Sequence, residues 1–173
     1  MSDTILVTYA SRGGATAGIA AAIGQTLADH GAKVEILPIQ DITDVTAYEA
    51  VVIGSAIQEG SWLPEAMDFM RTHQAALRQR PVALFQVCMT LAMPGAEKHR
   101  EFVASWLGPA RALVNPVAEG LFAGAFDIHK VPSFADRLKF RLSMLIGVWP
   151  DGDHRNWPAI RTWASELVPQ LQA

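Results

Sequence analysis

The sequence predicts an α/β domain, a doubly wound parallel sheet with helices on both faces. Three observations predict it. Short apolar runs alternate with longer segments of helical period, as in a chain of strand–helix units. One run, Ala50-Val51-Val52-Ile53-Gly54, is continuously apolar, as a central strand covered on both faces requires. A Ser/Gly/Thr stretch, Ser11-Arg12-Gly13-Gly14-Ala15-Thr16, lies between the first apolar run and the first helical pattern.

The elements follow in order. The first strand is expected at about Thr4–Tyr9. A helix from Thr16 to about His30 buries Ile19, Ile23 and Leu27 at i, i+4 and i+8, and Gly31 stands where a C-cap belongs. Lys33–Ile39 alternates Val34, Glu35 and Ile36 and ends near Pro38, as an edge strand does. After the central strand, a helix is expected from Pro64 to Leu77, with proline in its first turn. Val82–Val87 is the fourth strand, Glu97–Leu107 a helix, and Ala118–Phe126 contains the fifth strand. Asn156 and Pro158 open a last helix at about Ala159–Leu171. Five strands and five helices make up this plan, with one helix between the second and third strands. The segment Asp127–Arg155 departs from it, being too long for an ordinary strand–helix connection. The chain is expected to form a single domain over residues 1–173, with an insert at about 127–155.

Bulk properties exclude several function classes. The chain has 173 residues, half of them hydrophobic and only 18% charged, which is incompatible with disorder. With 14 basic against 17 acidic residues there is no electrostatic case for nucleic acid. One cysteine, Cys88, rules out an internal disulfide and a multi-cysteine metal site. His30, His73, His99, His129 and His154 lack metal-ligand spacing, so no metal is expected. The start, Met1-Ser2-Asp3-Thr4, carries neither a basic region nor a cleavable apolar segment. The longest apolar candidates, Val82–Met93 and Leu142–Trp149, fall short of the ~20 residues of a spanning helix. The expectation is a cytoplasmic protein, with peripheral contact at the inner face of the membrane left open by the insert.

In an open α/β sheet, ligands sit beyond the carboxyl ends of the strands at the switch point. That brings together the loop after strand one, Ser55–Trp62 after strand three, and Cys88–Pro94 after strand four. Glycines, the hydroxyls of Ser11 and Thr16 and a helix start suit a phosphate, although hydroxyls there also cap a helix with no ligand present. The spacing is neither a Walker A loop nor Gly-x-Gly-x-x-Gly.

These residues resemble the flavodoxin-like superfamily over nearly the whole chain, and more closely its menaquinone-dependent protoporphyrinogen oxidase group. Ser11–Thr16 is similar to that group's phosphate loop, Thr-Arg-Asp-Gly-Gln-Thr. Tyr48–Ile57 looks like its third strand entering the flavin loop, and Phe134–Leu145, with Arg137, Lys139 and Arg141, resembles its basic helical insert. Gly13 stands where the group has an acidic residue, Ala15 where it has Gln, and Ala10 lacks a hydroxyl common in flavodoxins. The resemblance implies strand order 2-1-3-4-5 and FMN as cofactor. It assigns the cofactor to Ser11, Arg12, Gly13, Gly14, Ala15, Thr16, Ser55, Ala56, Ile57, Gln58, Gly60, Val87, Cys88, Met89 and Thr90. Because the flavin carries the redox chemistry, no catalytic side chain is expected.

The implied substrate is protoporphyrinogen IX, within haem biosynthesis, with a quinone as acceptor. Lys130, Arg137 and Arg141, together with Arg12, are then placed to meet its carboxylates. The alternative is a flavodoxin-type electron-transfer protein, although such carriers dock through strongly acidic faces that this composition does not offer. A phosphoacceptor signalling domain is excluded, since no acidic cluster follows the first strand. Cys88 has no neighbouring histidine and reads as structural or flavin-adjacent. Trp62 either stacks on the flavin or anchors the next helix, and anchoring is favoured. Gly152-Asp153-His154-Arg155 reads as a polar connection and cap before the last helix, with reach to the mouth of the site as the alternative. In the insert, Phe134, Leu138, Leu142 and Leu145 share one helical face capped by Ser133. Packing on the body, a membrane surface and a substrate or partner platform all remain open for it. Phe140, Ile146, Val148 and Trp149 widen the apolar surface enough for membrane contact through Phe134–Trp149, or for a homo-oligomer.

Overall fold

A computed structural model describes residues 3–147 and 149–173, so Val148 lies outside the described residues. Strand β1 (Thr4–Ala10) is followed by helix α1 (Ala15–Asp29), β2 (Lys33–Pro38), β3 (Ala50–Gln58) and the two-residue β4 (Ser61–Trp62). Then come α2 (Pro64–Thr72), α3 (Gln74–Leu77), β5 (Val82–Cys88), α4 (Arg100–Ser105), α5 (Gly108–Val114) and β6 (Ala118–Ala123). The chain ends with β7 (Ala125–Phe126), α6 (Phe134–Leu145), β8 (Gly152–Asp153) and α7 (Trp157–Leu171).

Five strands pair in parallel in the order β2-β1-β3-β5-β6, the expected doubly wound order once the short β4 is set aside. Burial follows position in the sheet. Every residue of β5 is buried, whereas edge strand β2 is mostly open. Alternate side chains feed two cores. Ile5, Val7, Val52 and Phe85 meet Ile19, Ile23 and Leu27 of α1 and Ile160 and Leu167 of α7. Leu6, Val51, Ile53 and Leu84 meet Leu63, Met70, Leu107 and Ala110 on the opposite face.

Several expectations need correction. Among the described residues no α-helix joins β2 to β3. A single 3-10 turn, Ile39–Asp41, stands there instead. The helix expected over Pro64–Leu77 breaks at His73, and the one over Glu97–Leu107 is a 3-10 turn, Ala96–His99, running into α4. Helix α5 was not anticipated. The segment Ala118–Phe126 divides at Gly124 because β7 leaves the sheet to pair antiparallel with β8, Ala125 opposite Asp153 and Phe126 opposite Gly152. This ribbon is the stem of the insert, and α6 is its body.

The loop after β3 is a tight hairpin. Ile57 pairs with Trp62 and Gln58 with Ser61, leaving Glu59 (φ 51°) and Gly60 (φ 73°) as its two central residues. Two positive φ angles define the turn that matches strand twist, and Asn-Gly is its preferred sequence. Glutamate in the left-handed region costs about 1–2 kcal/mol, and asparagine relieves part of this. Glu59→Asn is therefore expected to raise stability by roughly 0.5–1 kcal/mol. The check is the urea midpoint, and an unchanged or lower midpoint would show that the turn is not strained.

Candidate functional site

A cavity of about 1150 Å³ opens at the carboxyl ends of the strands. Ser11–Thr16 form one wall, Ala56–Gln58 and Val87–Met89 another, and Gly124–Asp127 the far side. The insert closes it with Lys130–Pro132 and Asp151–Asp153, beside Arg155.

The first wall has the chemistry of an anion seat. Gly14 precedes α1 with φ 90°, a conformation open to glycine, and no side chain caps the helix. The first backbone bond into the helix runs from Gly18 N–H to the Gly14 carbonyl at 3.1 Å. The amides of Ala15, Thr16 and Ala17 therefore have no acceptor within the helix, and no acidic side chain occupies its first turn. Ser11 Oγ accepts from Gly14 N–H at 3.1 Å and shapes the loop.

Cations approach this loop from the insert. Lys130 Nζ donates to the Gly13 carbonyl at 3.4 Å. Arg155 grips Asp153 with Nε and Nη2 at 2.8 and 2.7 Å, reaches the Ala15 carbonyl through Nη1 at 3.4 Å, and lies 4.5 Å over the Trp157 ring. Gly18 makes room for it, since a Cβ there would fall 2.5 Å from Arg155 Nη1. Arg12 is engaged elsewhere. Its guanidinium pairs in a fork with the Glu65 carboxylate at the start of α2, which holds Glu65 below the usual carboxylate range.

Of the residues assigned to the cofactor from sequence, Ser11, Arg12, Gly13, Gly14, Ala15, Thr16, Ala56, Ile57, Gln58, Val87, Cys88 and Met89 line the cavity. Ser55, Gly60 and Thr90 are not among the lining residues. Ser55 is fully buried because it shares the inward face of β3 with Val51 and Ile53. Its hydroxyl donates to the Ala56 carbonyl and accepts from Leu63 N–H at 3.0 Å, fixing the entry to α2. Gly60 belongs to the hairpin tip, against Trp106. Trp62 anchors: it is buried, and its Nε1 donates to Gln86 Oε1 at 3.0 Å, while Gln86 Nε2 donates to the Val103 carbonyl at 2.6 Å. Lys130 lines the cavity, but Arg137 and Arg141 do not.

Sequence reasoning did not include Gly124–Asp127, Val131, Pro132, Asp151–Asp153 and Arg155 in the site. The signal available was Gly152-Asp153-His154-Arg155, a polar turn with a glycine at positive φ (93°). Cys88 is buried, and desolvation pushes its thiol up, so it stays protonated at neutral pH, as a structural thiol does. No group of acidic, histidine or cysteine side chains among the described residues could hold a metal ion.

Comparison with known proteins agrees with this architecture. A family model described as flavodoxin domain matches residues 6–150. A curated relative from Leishmania major, protoporphyrinogen IX dehydrogenase [quinone], is 26% identical over 180 residues, covering 96% of this chain and 75% of that protein. Among solved structures, a short-chain flavodoxin associated with a PDU bacterial microcompartment aligns with TM-score 0.60 at 15% identity, over 99% of both chains. An archaeal flavodoxin aligns with TM-score 0.58 at 17% identity, over 98% of this chain and 99% of its own.

The Asp153–Arg155 pair closes the cavity wall, and Arg155 pulls the Asp153 carboxyl down to about 2. A folded-state value below the ordinary 3.8 stabilises the fold above that value and is lost as pH falls from about 4 toward 2. Asp153→Asn is expected to lower the melting temperature by a constant amount from pH 7 to about pH 5, with the difference closing toward pH 2. Melting curves across this range check it, and a difference independent of pH would remove the ion pair from the wall.

Proposed function

The chain belongs to the flavodoxin domain family, with FMN as its cofactor, and on that premise we propose an oxidoreductase that dehydrogenates protoporphyrinogen IX and delivers electrons to a quinone. One observation carries the reading. The cavity, about 1150 Å³, is larger than the roughly 300–1,000 Å³ of ordinary ligand pockets, and the insert walls it. That leaves room beside the cofactor for a second flat molecule.

In this reading the open amides of Ala15, Thr16 and Ala17 and the Ser11 hydroxyl hold the phosphate. Lys130 brings a positive charge to the seat from the insert side, while Arg155 is held in its ion pair with Asp153. Ala56, Ile57, Val87 and Met89 provide apolar contact for the ring and exclude water from it. When bound, FMN supplies the two-electron chemistry, accepting hydrogen from the reduced substrate and giving it up to the acceptor. Of Lys130, Arg137 and Arg141, Lys130 is the one that lines the cavity and could meet a propionate there. The name of the Leishmania major relative supports this substrate and acceptor. No side-chain acid or base is assigned, and Cys88 remains a protonated, apolar lining group.

The second reading is an electron carrier, favoured by the likeness to flavodoxin structures. Anaerobic mixing separates the two. Adding protoporphyrinogen to the oxidised holoprotein is expected to bleach the flavin absorbance, and a soluble menaquinone analogue to restore it over repeated cycles. A flavin that porphyrinogen leaves oxidised, but that exchanges electrons with a small redox protein, would identify a carrier.

A further inference from the structure

Of the readings open for helix α6, packing of its apolar stripe on the body is not what the structure shows. None of its residues is buried. The stripe points outward, with Phe134 78%, Leu138 50%, Leu142 57% and Leu145 82% exposed, continued by Ile146 at 75%. The opposite side holds the helix down. Phe140 meets Phe126 at 4.8 Å and Trp149 at 5.7 Å between ring centres, and Phe126 meets Trp149 at 5.7 Å. The sequence therefore gives this helix two apolar sides, one used by the fold and one left facing out.

Charge selects what covers the outer side. At about 100° per residue, Phe134, Leu138, Leu142 and Leu145 span an arc of about 80°, with Lys139 beyond one edge and Arg141 beyond the other. Across α6 three cations, Arg137, Lys139 and Arg141, stand against one acid, Asp136, on a chain whose net charge is −3. A second copy fits poorly. The other exposed large apolar residues among those described, Ile36, Phe102 and Val117, belong to other elements, far from α6 in sequence. The stripe's apolar match on another copy would be α6 itself, and pairing α6 with α6 would bring cations together. Five side chains are also few beside the roughly 20–30 residues a side of a stable protein interface. An apolar stripe edged by cations instead matches the boundary of a bilayer whose headgroups are negative.

We propose that α6 is an interfacial anchor that docks on anionic phospholipid through Phe134, Leu138, Leu142, Leu145 and Ile146, with Lys139 and Arg141 at the headgroups. The stem that carries α6 also walls the cavity, through Asp127, Lys130–Pro132 and Asp151–Asp153. Docking therefore holds the insert that walls the cavity at a lipid surface. The inference deepens the preceding reading by naming the surface at which a lipid-soluble quinone is met.

The test is sedimentation of the FMN-loaded protein with vesicles of phosphatidylcholine alone or mixed with phosphatidylglycerol. No porphyrinogen or quinone is present, so failure here leaves the oxidoreductase reading standing, and failure of turnover leaves this one standing. The expected result is salt-sensitive binding to the anionic vesicles and little to the neutral ones. Leu138→Gln with Leu142→Gln, and separately Lys139→Gln with Arg141→Gln, should each weaken binding about 10-fold or more, with flavin absorbance and circular dichroism unchanged. Equal binding to both vesicles, none to either, or variants that bind like the parent would overturn the proposal. So would a monomer–dimer equilibrium in ultracentrifugation that the leucine pair abolishes, which would assign the stripe to a second copy.

Discussion

The amino end of α1 is an open set of backbone donors, and the functional end of the molecule is organised around it. Gly14 turns the chain out of the central sheet in a left-handed conformation and supplies no capping side chain. The first-turn amides thus keep their hydrogen-bonding capacity and the positive end of the helix dipole for a ligand. A buried helix end without partners would be costly, so this one faces a cavity. One core fixes the donors' position: α1 is held by Ile19, Ile23 and Leu27 against β1, β3 and β5, and by α7 alongside.

The insert answers this feature from across the cavity. Residues more than a hundred positions away in sequence return to the first loop, Lys130 to the Gly13 carbonyl and Arg155 to the Ala15 carbonyl. Gly13 and Ala15 bring no polar side chain to this loop. Arg12, the nearest cation in sequence, is committed to Glu65. The insert brings Lys130 to the loop, and it brings Arg155 already paired with Asp153. The same insert encloses the cavity and presents a second apolar side outward. The cavity wall and the outward apolar side thus belong to one insert.

Much of this was legible in the sequence where a single physical signal dominates. Continuous apolar runs located the central strands, and glycine with hydroxyls before an apolar helix pointed to the loop that lines the cavity. Asn156 and Ser133 were readable as caps, and each accepts from the amide three residues on. Ser55 shares the register of Val51 and Ile53, and its hydroxyl serves the entry to α2. The hidden parts depend on tertiary context. The periodicity of α6 revealed an apolar face but not which side the body would cover, because Phe140 with Phe126 and Trp149 outcompeted the longer stripe. The break at His73 and the division at Gly124 depend on neighbours that no local pattern names. Arg155 looked like part of a connection because its partners lie at Ala15 and Trp157.

The central claim is that the first loop is a phosphate seat, and its most direct test is the ratio of affinities for FMN and riboflavin in the unmodified protein. The two ligands share the ring and differ in the phosphate, so the ratio isolates the seat. Losing two or more charge-assisted hydrogen bonds predicts FMN at least about 100-fold tighter. Equal affinities would contradict the account, because the open amides of α1 would then serve no ligand.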